Sequence, residues 1–420
     1  MSNALITGSP YLRPNDAWPL STLAFLCIAC AVFFWHPLAL LMLVCLFAVV
    51  NPTNDFKWLF LIAACALFAT LNVSREIAGD LITYVDIQDY TSAKPFYTLL
   101  DKDELQLISS TYRLTEIGFY APFWIIGQVI SDSKTAICLM ATLAIYIPTF
   151  LGLTIIGKSE NWSRGLLLTV ALFTFFAGIN FVQSTHLIRQ YISAAVLFCA
   201  FALFLTGRRN KWRAVFVALC ACSIHNGTAL LIPLVAFACW SFQYGKGAER
   251  SVPGSFLRVV GIAAILAMTM VLIPILQGAL LKDEVPNINA GHFAVVGAFF
   301  IIAQIAVKLQ HMRVISIHYA SVAFLVIYIL SLGFYILGLP LFALRYFAYL
   351  EWLYGLMVCG IMFHAFRHSP GLQMFARFTL CLAASAILIG RISVAEWVYG
   401  PGDNNFLSWD FFQVAQLVSR

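Results

Sequence analysis

Arginine is among the side chains a membrane helix accommodates at greatest cost, roughly 2.5–3.5 kcal/mol near the bilayer centre on insertion scales. Two arginines nevertheless lie at the ends of long apolar runs. Arg189 falls within Ser184–Gln190, with His186 and Gln190 beside it, and Arg345 opens the run that carries Glu351 further along. Taken singly, each is accounted for by a long side chain reaching back to lipid headgroups. Taken together, guanidinium groups suit a diphosphate, because they bind its oxygens in pairs and stay charged when partly desolvated. A third residue, His225, follows Cys220–Ile224 and precedes Asn226-Gly227. A histidine at a helix end is more often a hydrogen-bonded interface group than a catalyst, but imidazole is also the side chain best suited to move a proton near neutral pH. Upstream lies an acidic, aromatic stretch with Glu76, Asp80, Asp86, Asp89, Asp101, Asp103, Glu104 and Glu116, interleaved with Tyr84, Tyr90 and Tyr97. Carboxylates and aromatics together suit sugar binding. Most such charges only solvate a loop, and Asp80, next to Gly79 and closest to the membrane, is the strongest exception.

The elements that position these residues follow from composition. Of 420 residues, 61% are hydrophobic and 10% charged, and mean hydropathy is +0.88, which excludes a soluble domain with a polar coat. A helix crosses the hydrocarbon core in roughly 20 apolar residues. Runs of that kind predict helices over 18–35, 37–51, 57–73, 134–157, 164–180, 187–206, 212–225, 227–243, 257–276, 292–309, 315–337, 345–365 and 378–397. They do not alternate polar and apolar residues as strands of a membrane barrel would. The expected fold is an all-α polytopic integral membrane protein of about twelve or thirteen spans, one domain over 1–420. Two loops interrupt it, a large one over about 74–133 and a second over about 277–291. Within the first, Glu116–Ile130 reads as an amphipathic, aromatic helix lying flat at the interface. All eleven cysteines lie in apolar stretches and read as small hydrophobes. The polar N-terminus lacks a signal-peptide pattern, so the first helix is expected to be retained.

Alternating the spans from a cytoplasmic N-terminus places most lysines and arginines, the Arg208–Arg213 cluster among them, at the cytoplasmic face. Of the 19 acidic residues only Asp16, Asp55, Glu160 and Glu249 fall there. That satisfies the positive-inside rule, and it brings Arg189, His225 and Arg345 to the opposite face beside the acidic loop. The net charge of +6 therefore reports orientation rather than nucleic-acid binding. Other polar groups within the apolar runs are Gln304 with Lys308, one turn apart, and Arg391 with Glu396. The sequence carries no nucleotide-binding loop, no hydrolase elbow, no zinc-protease helix and no cysteine metal cluster, so neither cofactor nor metal is expected.

The segment Ile188–Leu234 joins an arginine-glutamine helix start, a basic turn, and a histidine followed by Asn226-Gly227 at the next outer helix end. This resembles the central signature of EpsG-like proteins, polysaccharide polymerases related in role to the Wzy type. Gly79–Tyr84 and Glu116–Phe119 resemble the family's aspartate/tyrosine loop and Glu-x-Gly-Phe segment, in the same order, with Leu81 replacing the usual small polar residue. The resemblance covers Arg75–Leu234, with Arg345 a looser match. It implies a glycosyltransferase of the bacterial inner membrane that joins undecaprenyl-diphosphate-linked oligosaccharide units on the periplasmic side. Its fold would resemble the polytopic glycosyltransferases that use lipid-phosphate donors. Donor and acceptor would both be lipid-linked, with membrane lipids and a chain-length regulator as further partners. Arg189 and Arg345 would hold the donor diphosphate. His225 would take the acceptor proton, with Asp80 or Glu116 as alternates, and Tyr84, His186, Gln190 and Asn226 in support. A lipid-linked glycan transporter, a membrane acyltransferase and a purely structural role are the competing classes. The first predicts paired repeats, which the sequence does not display.

Overall fold

The computed structural model describes residues 56–75, 77, 80–109, 112–206, 210–241, 290–310, 314–366 and 369–393. The expected helices over 18–35, 37–51 and 257–276, most of the second loop, and Glu76, Gly79, Arg208, Arg209 and Glu396 lie outside these residues. Among the described residues every regular element is helical. The chain is an all-α polytopic membrane protein. In order, α1 spans Phe56–Val73, α2 Asp80–Ser92, α3 Lys102–Ile108, α4 Ile117–Gly127, α5 Ser133–Ser159, α6 Arg164–Phe173, α7 Phe181–His186 and α8 Ile188–Leu205. There follow α9 Lys211–Ile224, α10 Thr228–Ser241, α11 Ala290–Leu309, α12 Ile315–Ile336, α13 Pro340–Ala348, α14 Glu351–Ala365 and α15 Pro370–Ser393.

Five of these, α5, α8, α11, α12 and α15, are long and apolar enough to cross a bilayer, and α13 with α14 make a sixth span bent by 45°. The 27 residues of α5 rise about 40 Å, more than a hydrocarbon core requires. Local chemistry sets the ends. Asp132 caps α5 by accepting from the Thr135 amide at 2.7 Å, Ser163 caps α6 through Leu166, and Pro340 opens α13 where its missing N–H is not needed. Threonines inside the spans satisfy their hydroxyls on the preceding turn, as Thr149 does on the Ile145 carbonyl at 2.7 Å.

Helix α5 is the hub, packed against α1 and α8, while α8 packs in turn against α9. At Gly152 of α5 a side chain would come within 2.9 Å of the Phe198 ring and 3.3 Å of the Cys199 backbone, so a small residue lets α8 approach. Asn72 ties α1 to α5 through the Cys138 carbonyl at 3.0 Å. One hydrophobic cluster runs through all of this, from Phe60 to Ile392.

Several sequence expectations change. The stretch 74–133 is a folded helical cap rather than a loop: α2, α3, α4 and two 3-10 turns, Phe96–Leu100 and Leu114–Glu116, pack on one another and on α5 and α9. Helix α4 packs one aromatic face on the protein, with Phe119, Tyr120 and Phe123 buried among α2, α5 and α9, and leaves Ile125 exposed. The span expected at 345–365 is the bent pair α13/α14, and the one expected at 378–397 begins at Pro370. Gln304 bonds across to Ser321 of α12 at 2.9 Å.

The cap gathers at one end of the bundle. At the other end Glu160 accepts from the Ser316 amide at 2.7 Å, close to Lys158 and Arg164.

Candidate functional site

The cap is held in place by hydrogen bonds that fix its inner face. Gln88 of α2 donates to the Phe123 carbonyl of α4 at 2.9 Å, and the Trp124 indole donates to Thr91 and Lys94 carbonyls at 3.1 Å each. The 3-10 turn Leu114–Glu116 is brought down onto the end of α9 because residue 118 is glycine. A side chain there would sit 2.9 Å from the Ser223 Cβ and 3.0 Å from its backbone carbon. This close approach explains the glycine of the Glu-x-Gly-Phe segment, and it delivers Glu116 into the body of the protein with 2% of its surface exposed.

Glu116 is the centre of the site. Its Oε2 lies 2.5 Å from Arg189 Nη1, and its Oε1 lies 3.2 Å from His225 Nδ1 and accepts from the Asn226 amide at 3.2 Å. Asn226 also donates through its side chain to Thr115 at 2.7 Å. The remaining edge of Arg189 donates from Nε to the Tyr84 hydroxyl at 2.8 Å, and that hydroxyl donates to Asp80 Oδ2 at 3.3 Å. The four-residue spacing of Asp80 and Tyr84 puts them on one face of α2. Residues from α2, the cap turn, the start of α8 and the α9–α10 turn thus converge on one carboxylate.

Burial works to raise the Glu116 carboxyl, but the His225 hydrogen bond and the charge of Arg189 outweigh it and hold the group at about 2. It is an ionised acceptor at neutral pH and a poor base. His225 is pushed below its ordinary value, first by burial and then by the two arginines, against the pull of Glu116. A neutral imidazole facing a carboxylate that can only accept must carry its proton on Nδ1. Nε2 is left with the lone pair, the arrangement in which a carboxylate orients a histidine for proton acceptance.

Arg345 completes the cluster differently. It is half-buried and lies in the electrostatic field of Arg189, Asp80 and Arg113, yet its guanidinium has no hydrogen-bond or ion-pair partner among the described residues. Only its backbone is tied, by the Gln190 side-chain amide donating to its carbonyl. Three guanidiniums against the carboxylates of Asp80 and Glu116 leave a local excess of positive charge, which favours an anion.

Of the residues expected from sequence, Arg189, His225, Glu116, Tyr84, Asn226 and Asp80 meet in one network, with Arg345 alongside. Asp80 is exposed and reaches the network only through Tyr84. Gln190 is buried and acts on the Arg345 backbone rather than facing a ligand. His186 ends α7 in the field of Arg75 and is not among the groups around Glu116. The sequence reading missed the support beneath the His225 turn: Tyr346 donates to the Gly227 carbonyl at 3.2 Å, and Tyr349 bonds Thr228 at 2.7 Å, which in turn contacts Ser193. Only the tyrosines' place directly after Arg345 and one turn beyond it could have signalled it.

No curated protein and no solved structure gives a match to this chain. The model of the EpsG family matches residues 57–397, which takes in the cap, the Arg189–Glu116–His225 network and Arg345, and the chain belongs to that family.

Proposed function

We propose that this protein is a polysaccharide polymerase that joins lipid-diphosphate-linked oligosaccharide units at the non-cytoplasmic face of a bacterial inner membrane. The observation that carries the reading is the carboxylate-oriented His225 beside an arginine, Arg345, whose guanidinium has no partner among the described residues. Membership of the EpsG family supports it.

In this mechanism Arg345, with Arg189 behind it, holds the diphosphate of the donor lipid. The acceptor sugar's hydroxyl oxygen forms a bond to the donor's anomeric carbon as the bond from that carbon to the diphosphate oxygen breaks. The electron pair leaves with the lipid diphosphate, where the guanidiniums stabilise the charge gained. The hydroxyl proton passes to His225 Nε2, and the imidazolium that forms is stabilised by Glu116. Cleavage of the diphosphate linkage supplies the driving force, so no nucleotide is required. Undecaprenyl diphosphate is the lipid carrier this reading assigns, and His225 rather than Glu116 is the base.

The test is genetic and biochemical. The gene is deleted in its host and restored as wild type or as His225→Ala at matched membrane abundance, and the surface glycan is run on a gel. A ladder with the wild type and only single repeat units with the variant is the expected result. An unchanged ladder with His225→Ala removes His225 from the chemistry. A ladder that survives deletion in a strain shown to lack another polymerase overturns the polymerase reading.

A further inference from the structure

A second cavity lies at the same end of the bundle, on the opposite side of α8 from the Glu116 network. It measures about 730 Å³ and is enclosed by α11, α13, α14, α15 and the break between α6 and α7. Its upper wall is polar, with Asn180, Gln183, His292, Glu351 and Arg391, and its lower wall is apolar, with Phe299 and Val358 among the lining residues. An amphipathic cavity of this kind, polar where the helices end and apolar one or two turns deeper, has the profile of a lipid headgroup site.

The polar wall is built, not incidental. Thr174–Gly178 forms a wide π-helical turn ahead of the break before α7, and Arg391 of α15 donates from Nη1 to the Ile179 carbonyl at 3.1 Å and the Phe176 carbonyl at 3.5 Å. Gly178 lets the Glu351 carbonyl come close; a side chain there would meet that oxygen at 2.8 Å. Glu351 is buried and spent within the protein, with Oε2 accepting from the Asn180 amide at 2.7 Å and Oε1 from the Tyr191 hydroxyl at 2.9 Å. It forms no ion pair with Arg391 among the described residues. Arg391 is thus braced by two carbonyls through one nitrogen, while its Nε and Nη2 donors have no protein acceptor among the described residues. A guanidinium held from behind by two carbonyls and lining a cavity is suited to a phosphate oxygen pair.

We infer that this cavity holds the diphosphate of the second lipid-linked substrate, the acceptor, and that Arg391 is its anion contact. The inference rests on the polymerase reading and deepens it. Joining two lipid-linked units breaks one diphosphate linkage and leaves the other intact. Both diphosphates are present at once, one on each lipid, and are joined only through an oligosaccharide unit whose length caps their separation, so one anion site does not serve both. The two sites stand back to back across one wall. Arg189 and Tyr191, on the first turn of α8, face Glu116 and Glu351 respectively, and Gln190 between them holds the Arg345 carbonyl.

The test counts lipids on the purified full-length chain by native mass spectrometry, with undecaprenyl diphosphate as probe and inorganic diphosphate or phosphatidylglycerol as competitor. Wild type is expected to carry two probe molecules per chain. Arg391→Ala is expected to carry one, with Arg391→Lys restoring most of the second at an unchanged melting temperature. Arg345→Ala is expected to lose the other. Two molecules retained by Arg391→Ala, or one on the wild type, overturns the inference. So does a second molecule displaced as readily by phosphatidylglycerol, which marks a bulk-lipid site, or by inorganic diphosphate alone, which marks a free-anion site. In each of these cases a ladder that still depends on the gene leaves the polymerase reading standing, so the two failures are distinguishable.

Discussion

Arg189 and Arg345 enter the same site from two helix starts, and the protein treats them oppositely. Arg189 is locked on two sides, by Glu116 at 2.5 Å and Tyr84 at 2.8 Å, whereas the Arg345 guanidinium has no partner among the described residues. Inside a membrane protein an arginine left without a partner is costly, so the contrast separates two tasks. The locked residue sets the field and holds the carboxylate that orients His225. On the proposed function the other is left for a ligand that brings its own negative charge.

Removing each arginine breaks that comparison open. Arg189→Ala leaves Glu116 as a buried carboxylate without its ion pair, a change that costs roughly 3–5 kcal/mol in comparable sites. It is expected both to lower the melting temperature of the purified protein and to abolish the glycan ladder. Arg345→Ala removes no side-chain hydrogen bond or ion pair among the described residues. Its melting temperature is expected to stay near that of the wild type while turnover falls about 100-fold, as for the loss of one transition-state donor. Equal destabilisation by the two substitutions would show that Arg345 too is a structural residue, and the division of labour would fall.

A smaller effect tests how the cap sets the difference. Gly118→Val forces the Leu114–Glu116 turn away from Ser223, where even a Cβ atom has no room. Overpacking of this kind costs typically about 1–3 kcal/mol. It is expected to loosen the contact of Glu116 with His225 more than that with Arg189, whose longer side chain can follow. Shortened glycan chains with a modest fall in melting temperature are the expected outcome. Wild-type behaviour in both would mean that the cap does not position Glu116.

The sequence foretells the locked half of this comparison better than the other. Apolar runs announce the long spans, because crossing a bilayer demands both length and composition, and the starts of α5, α8 and α12 fall within a residue or so of expectation. Most residues of the Glu116 network are legible because they are polar anomalies at helix ends. What escapes the sequence is contact between distant elements. Nothing in 74–133 says that its charges decorate a folded cap, since its short helices owe their stability to packing on α5 and α9 rather than to their own periodicity. Arg391 bonds the carbonyls of Phe176 and Ile179, which are freed by a π-turn that no local residue pattern marks.

The mildest probe is pH, and its sign follows from the direction of the Glu116 shift. The carboxyl is held at about 2 in the folded protein against an ordinary value of 4.5, so the folded state binds its proton less readily than the unfolded chain. Its contribution to stability is complete above the ordinary value and is lost as pH falls from about 4.5 through about 2, where protonation leaves Arg189 without its counter-charge. Melting temperatures of the detergent-solubilised protein are therefore expected to fall more steeply across that window for the wild type than for Glu116→Gln. The variant starts lower at neutral pH because its amide cannot replace the ion pair. Parallel curves would mean that Glu116 is not the group that titrates, and that the lock on Arg189 is weaker than its 2.5 Å contact implies.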